Sequence, residues 1–144
     1  MTPDKMSKLH SRCMPNYQNW SADYYRTLLK SKNSIFHTEE FGFGFARFSK
    51  DEGEIIMIMI DPRFRQEGRA TSLLNKLLTD LKSIGCKKIF LEVGINNKGA
   101  ITLYAKNNFE QIGERKEYYS LKNGNKLNAL VSVSYTHLTL PTKA

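Results

Sequence analysis

The stretch Ile60-Asp61-Pro62-Arg63-Phe64-Arg65-Gln66-Glu67-Gly68-Arg69-Ala70 decides how this chain is read. Before it, residues 54–60 form a nearly continuous apolar run, as expected of a strand buried on both faces. After it, Leu73, Leu74, Leu77, Leu78, Leu81 and Ile84 recur at helical spacing until Gly85, which is placed to terminate the helix. A turn with a glycine and a small residue that runs straight from strand to helix lines up free backbone N–H groups at the positive end of the helix dipole. Such a site holds an anion, and a phosphate or pyrophosphate most naturally. The bare pattern Arg65-x-x-Gly68-x-Ala70 also fits an ordinary strand–helix turn; its position directly after a buried strand favours the cradle.

Outward from this point the chain alternates elements. Residues 5–13 suit a short helix, and a clearer one runs to Leu29 with Ser21 as N-cap and Trp20 packing on Tyr25 as a hydrophobic staple. Residues 34–38 read as a strand. Phe41-Gly42-Phe43-Gly44-Phe45 alternates large and small, giving a strand with one aromatic face, and Asp51-Glu52-Gly53 reads as a turn. Further on come a strand over 88–93, a helix over 100–107 and a strand over 111–121. Asn123-Gly124 then signals a tight hairpin back into 127–133. This order predicts an α/β fold whose mixed sheet has a parallel pair in the middle. No repeat or linker divides the chain, so residues 1–133 are expected to form a single domain. Residues 134–144, with Pro141 and scattered threonines, are expected to be an unstructured or non-native tail.

Composition narrows the chemistry. Cys13 and Cys86 stand in no metal or redox spacing, and His10, His37 and His137 form no cluster, so no metal site is expected. No apolar run approaches a membrane span and no signal-peptide core is present, which predicts a cytoplasmic protein. The net charge of +8 fits an acidic partner such as nucleic acid, ribosome or a phosphorylated cofactor, and equally a solvated basic surface.

Two further residues suggest acid–base work. Glu92 lies between Leu91 and Val93, so on a strand it projects opposite to them; a carboxylate there is costly unless paired or functional. Tyr104 shares a helix face with Ala100. Each has a plainer reading, Glu92 as a solvated rim residue and Tyr104 as a core aromatic.

Taken together, Asn19-Trp20-Ser21, Ile60-Asp61-Pro62, Arg65-x-x-Gly68-x-Ala70, Leu91-Glu92-Val93, Asn97, Ala100-Ile101, Leu103-Tyr104, Phe109 and Tyr118-Tyr119 resemble the GCN5-related N-acetyltransferase (GNAT) superfamily. Within it, they resemble the bacterial enzymes that acetylate the N-terminal alanine of a ribosomal protein. The resemblance implies a sheet with a splayed parallel strand pair, flanking helices and a C-terminal β-hairpin, with acetyl-CoA as co-substrate. Ile58, Met59 and Ile60 would meet the pantetheine arm. The N–H groups of Gln66, Glu67, Gly68, Arg69, Ala70 and Thr71 would hold the pyrophosphate, and Asn97 would touch the cofactor. Glu92 would be the general base and Tyr104 the general acid, with Trp20 and Tyr118 shaping the peptide slot. The implied partner is a protein N-terminus. Acetylation of a lysine or a small amine on the same fold, and a non-catalytic basic RNA- or ribosome-binding module, stay open as alternatives.

Overall fold

The computed structural model describes residues 1–65 and 67–136. Helices α1 (Pro3–Cys13) and α2 (Ala22–Leu29) precede the antiparallel strands β1 (Ser34–Glu39), β2 (Gly42–Ser49) and β3 (Glu52–Ile60). A single 3₁₀ turn, Pro62–Phe64, leads into α3 (Arg69–Ile84), followed by β4 (Lys88–Gly94), α4 (Lys98–Lys106) and the hairpin of β5 (Glu110–Ser120) and β6 (Lys126–Tyr135). The strands form one six-stranded sheet in the order β1-β2-β3-β4-β6-β5. Only β3 and β4 run parallel; the other neighbours are antiparallel. The expected mixed sheet with a central parallel pair is what forms.

Local chemistry explains the elements. Thr2 and Ser21 accept the Lys5 and Tyr24 N–H groups and so cap α1 and α2. Gly85 ends α3 in a left-handed conformation, and Asn108 (φ 67°) makes the corresponding turn after α4. The large–small alternation of β2 separates two cores. Phe43 and Phe45 bury against Met6, Leu9, Tyr25 and Leu28 of α1 and α2. On the other face Ala46 and Ile55 meet Leu74, Leu77 and Leu81 of α3, with Ile89, Leu91, Tyr104 and Phe109. The two glycines of β2 differ in how closely their neighbours approach: a Cβ on Gly44 would lie 2.9 Å from a Leu77 methyl, which can turn aside, whereas one on Gly42 would lie only 2.0 Å from the Met59 carbonyl oxygen, so glycine is required there.

Several expectations are corrected. The turn before β3 falls at residues 50–51, with Lys50 at φ 56°, so Glu52 and Gly53 already belong to the strand. Residues 56–58 of β3 are half-buried rather than enclosed, because the strand loses its β4 neighbour after Ile55. Ile84 is exposed, one position beyond the face that α3 buries. The β5–β6 connection is wider than a two-residue turn: Leu121 bonds the Asn125 carbonyl and Gly124 takes the left-handed conformation. Finally, β6 does not stop at 133. Ser134 and Tyr135 pair with Ile89 and Lys88, and the Thr136 hydroxyl donates to the Cys86 carbonyl at 2.6 Å. The remainder of the expected tail, 137–144, lies outside the described residues.

Candidate active site

The site begins where the parallel pair comes apart. β3 and β4 are bonded only between Glu52–Ile55 and Lys88–Leu91. Beyond that, the end of β3 stays with β2 and the end of β4 with β6. The separation opens a cleft of about 710 Å³, lined by Ile58, Met59 and Ile60 from β3, Gly68 to Thr71 at the start of α3, and Asn97, Ala100 and Tyr104 on α4. Residues far apart in sequence are therefore gathered on one cavity.

The α3 end of this cleft suits an anion. Gly68 is left-handed (φ 75°), no side chain caps the helix, and the first helical bond runs from Ser72 N–H to the Gly68 carbonyl. The N–H groups of the first turn are thus left without helix partners at the positive end of the dipole. A Cβ built on Gly68 would meet no atom within 4 Å, so the space above the turn is open. The Glu67 side chain does not face this space; its carboxylate pairs with Arg69 at 3.0 Å, and the Arg69 guanidinium packs over Phe41 and Phe64. Arg65 is held by the Ile60 carbonyl at 3.1 Å and also lines the cleft. Gln66 lies outside the described residues. A pyrophosphate-bearing donor fits this arrangement: open backbone donors, a glycine where a side chain would intrude, and apolar β3 residues beyond.

The turn is anchored by a residue that sequence reasoning passed over. Asp61 is 4% exposed and accepts from Arg63 (2.9 Å) and from Arg12 of α1 (3.1 Å). Arg63 chiefly, against a smaller opposing effect of burial, holds its carboxyl well below the usual carboxylate range. A carboxylate inside an apolar strand end signals such an anchor, but the sequence does not say which cation meets it.

Asn97 caps α4 by accepting the Ala100 N–H at 3.1 Å, which sets the helix in phase so that Ala100 and Tyr104 both face the cleft. The Tyr104 hydroxyl makes no hydrogen bond among the described residues, yet it is not sealed off as a buried unpaired atom; it opens on the cleft. Burial raises the phenol above its ordinary pKa, so it carries its proton at neutral pH.

Glu92 is on the opposite sheet face. Leu91 and Val93 point into the α3–α4 core, and Glu92 points away from it, as the pleat requires. Its side chain is 13% exposed, and the Arg115 Nη1 atom sits 3.0 Å from both carboxylate oxygens. The Tyr119 hydroxyl donates to the Glu92 carbonyl at 3.0 Å. Tyr118 is exposed beneath the Arg115 guanidinium, 4.1 Å from ring centroid to Cζ. Trp20, expected in the peptide slot, instead packs among His10, Tyr24 and Tyr25 and does not line the cleft. Tyr17 of the same loop lines the cleft instead: its hydroxyl donates to Asn96 at 3.0 Å and its ring meets Tyr119 edge-on. Among the described residues no group of His, Cys, Asp and Glu could hold a metal ion, and no helix is long and apolar enough to cross a membrane.

The model of the acetyltransferase (GNAT) family matches residues 4–109. The chain belongs to the GNAT family. As a member it is an N-acetyltransferase that takes its acetyl group from acetyl-CoA. Among relatives of this GNAT chain, the [ribosomal protein bS18]-alanine N-acetyltransferase of Haemophilus ducreyi is 31% identical over 116 residues, covering 76% of this chain and 80% of that one. The Haemophilus influenzae enzyme of the same name is 33% identical over 101 residues, 70% and 68% of the two chains. In fold it is similar to the Escherichia coli ribosomal-protein-S18-alanine N-acetyltransferase (TM-score 0.75, 19% identity, 95% and 92% coverage). It is also similar to Arabidopsis thaliana NAA60 in complex with acetyl-CoA (TM-score 0.78, 16% identity, 92% of each chain).

Proposed function

We propose that this enzyme acetylates the N-terminal α-amine of a protein, with a ribosomal protein beginning with alanine as the acceptor. The observation that carries the reading is the cleft that joins the open first turn of α3 to Tyr104; Glu92, on the opposite face of β4, does not line it. The names of the Haemophilus relatives supply the acceptor class. A lysine side chain or a small amine would use the same chemistry. The α-amine is favoured because the loop before Trp20 is stitched to the β5–β6 hairpin, through the Tyr17–Leu121 bridge and the Gln18 and Lys122 N–H bonds. On this reading the stitch closes one end of the acceptor path, which suits a chain that ends there rather than one passing through.

Bound acetyl-CoA supplies a thioester carbonyl and a thiolate leaving group. The first turn of α3 holds its pyrophosphate through backbone N–H groups, and Ile58 to Ile60 receive the arm. Glu92 takes a proton from the acceptor ammonium, directly or through water, and so exposes the nitrogen lone pair. Because an α-amine has a pKa near ~8, a carboxylate suffices for that transfer at neutral pH. Nitrogen then bonds to the acetyl carbon as the carbon–sulfur bond breaks; Tyr104 gives its phenolic proton to the sulfur, and the second proton shed by the nitrogen, carried through water, restores the phenol. No nucleophilic cysteine takes part.

Mass spectrometry after incubation with acetyl-CoA tests the acceptor. A peptide beginning with alanine is expected to gain one acetyl group, and a peptide with a blocked N-terminus and free lysines is not. Faster modification of the blocked peptide, or of a polyamine, overturns the α-amine assignment. Acetyl-CoA is also expected to raise Tm in the wild type and not in Gly68→Glu, where a side chain and a negative charge enter the cradle. The absence of any shift in the wild type at millimolar acetyl-CoA contradicts the cradle.

A further inference from the structure

We infer that Arg115 is a positioning residue for Glu92: it holds the carboxylate in place and neutralises it, so that the acceptor can lose its proton there. This rests on the reading of Glu92 as the base.

Three observations converge on it. First, one guanidinium nitrogen sits equally far, 3.0 Å, from both Glu92 oxygens, so the two oxygens share one cationic partner. Second, the grip is built by a backbone irregularity. β5 and β6 are paired as Arg115↔Ala129 and then as Tyr119↔Leu127, so β5 spends two more residues than its partner over this span. Glu117, at φ 53°, absorbs the excess, and its N–H is held by the Asn128 side chain at 2.9 Å, while Asn128 in turn donates to Glu114 at 2.7 Å. In a regular strand, residues three apart point to opposite faces. The bulge instead brings Tyr118 under the Arg115 guanidinium at 4.1 Å, limiting where that side chain goes. Third, Glu92 is fixed at its other end by the Tyr119 hydroxyl on its carbonyl. A half-exposed ion pair contributes little to stability, and the bulge and the stack converge on the Glu92 carboxylate while the carbonyl bond holds its backbone.

The consequence is electrostatic. The same face carries Arg47 on β2, Glu54 on β3, Glu92 on β4, and Arg115 and Tyr118 on β5, with Glu54 and Glu92 close enough that the Glu92 charge helps raise the Glu54 carboxyl, after burial itself. Without Arg115 the two acids would hold an incoming ammonium firmly in its charged, unreactive form. With Arg115 in place, Glu92 still accepts a hydrogen bond, yet the ammonium gains less from remaining charged.

Steady-state kinetics with an alanine-initiated peptide tests this through Arg115→Met, Arg115→Lys, Glu92→Gln and the Arg115→Met/Glu92→Gln double variant. Arg115→Met is expected to lower kcat by about 10-fold or more, short of the ~10²–10⁴-fold expected when an acid–base group is lost. The peptide KM should stay level or fall, and the KM for acetyl-CoA should not move. Arg115→Lys keeps a single cationic nitrogen and should recover most of the rate. In the double variant the Arg115 change should add no further loss, because Arg115 acts only through Glu92. Losses that multiply in the double variant, or a raised peptide KM with unchanged kcat, overturn the inference and make Arg115 a peptide contact. A Glu92→Gln enzyme with full activity overturns instead the role of Glu92, on which Arg115 depends.

Discussion

Tyr104 and Glu92 stand in different surroundings, and single-atom changes separate their roles. Tyr104→Phe keeps the ring among Ala100, Leu103 and Phe109 and removes only a hydroxyl that makes no hydrogen bond among the described residues. Folding and acetyl-CoA binding should therefore persist while turnover falls about 10²–10⁴-fold. Glu92→Gln also keeps its volume, but the reaction should weaken most at low pH, where the acceptor stays protonated. Raising the pH should restore part of that loss, because solvent then deprotonates the amine, and should not restore Tyr104→Phe in the same way. Rate profiles against pH for both variants decide it; wild-type rates in both would leave the site without its acid and base. At this scale the sequence shows which residues carry chemistry and not how they are held. Glu92 is conspicuous because a carboxylate interrupts an apolar strand. Arg115 gives no such signal, since a cation on an edge strand most often faces solvent.

At the scale of elements, β2 carries the constraint that positions α3 and hence the cradle. Gly42 and Gly44 look alike in sequence, yet their surroundings differ. A Cβ at Gly44 would meet the end of the Leu77 side chain, which can turn aside; a Cβ at Gly42 would collide with the Met59 backbone. Gly44→Ala should accordingly cost about 1 kcal/mol or less, and Gly42→Ala about 3 kcal/mol or more. Urea unfolding midpoints for the two variants measure the difference, and equal midpoints would show that β3 yields where the packing says it does not. The large–small alternation was readable in advance. What it separates, α1 and α2 on one face and α3 on the other, was not, because alternation specifies two faces without naming their partners.

Across the whole molecule, buried ionisable groups tie stability to pH. His10 is 3% exposed between α1 and α2, with Nδ1 2.8 Å from the Tyr25 hydroxyl, and burial pushes its pKa down to about 4. Between the ordinary value and about 4 the unfolded chain binds a proton that the native ring refuses. The stabilisation is complete above the unfolded pKa of ~6.5 and is lost as pH falls through that window, amounting to about 2 kcal/mol by pH 5. Asp61, depressed by its arginines, adds a loss in the same direction at pH values below the ordinary carboxylate range. Denaturation at pH 7 and pH 5 should show the His10 term, and His10→Gln should remove most of it. An identical slope in that variant would place the effect elsewhere.

Sequence alone determined the strand–turn–helix that builds the anion cradle, the end of α3 at Gly85, the mixed sheet and the family resemblance. These rest on local rules: hydrophobic period, capping side chains, and the backbone conformations open to glycine. It was also enough to single out Ile58 to Ile60, Gly68 to Thr71, Asn97 and Tyr104, which meet on one cleft. Tertiary structure decided what depends on non-local register. The strands part after Ile55, β6 runs on to Tyr135, Trp20 packs among His10, Tyr24 and Tyr25 away from the cleft, and a two-residue excess in β5 places Arg115 on Glu92. Periodicity tells which face a side chain takes within its own strand; only the pairing between strands decides which residue it meets.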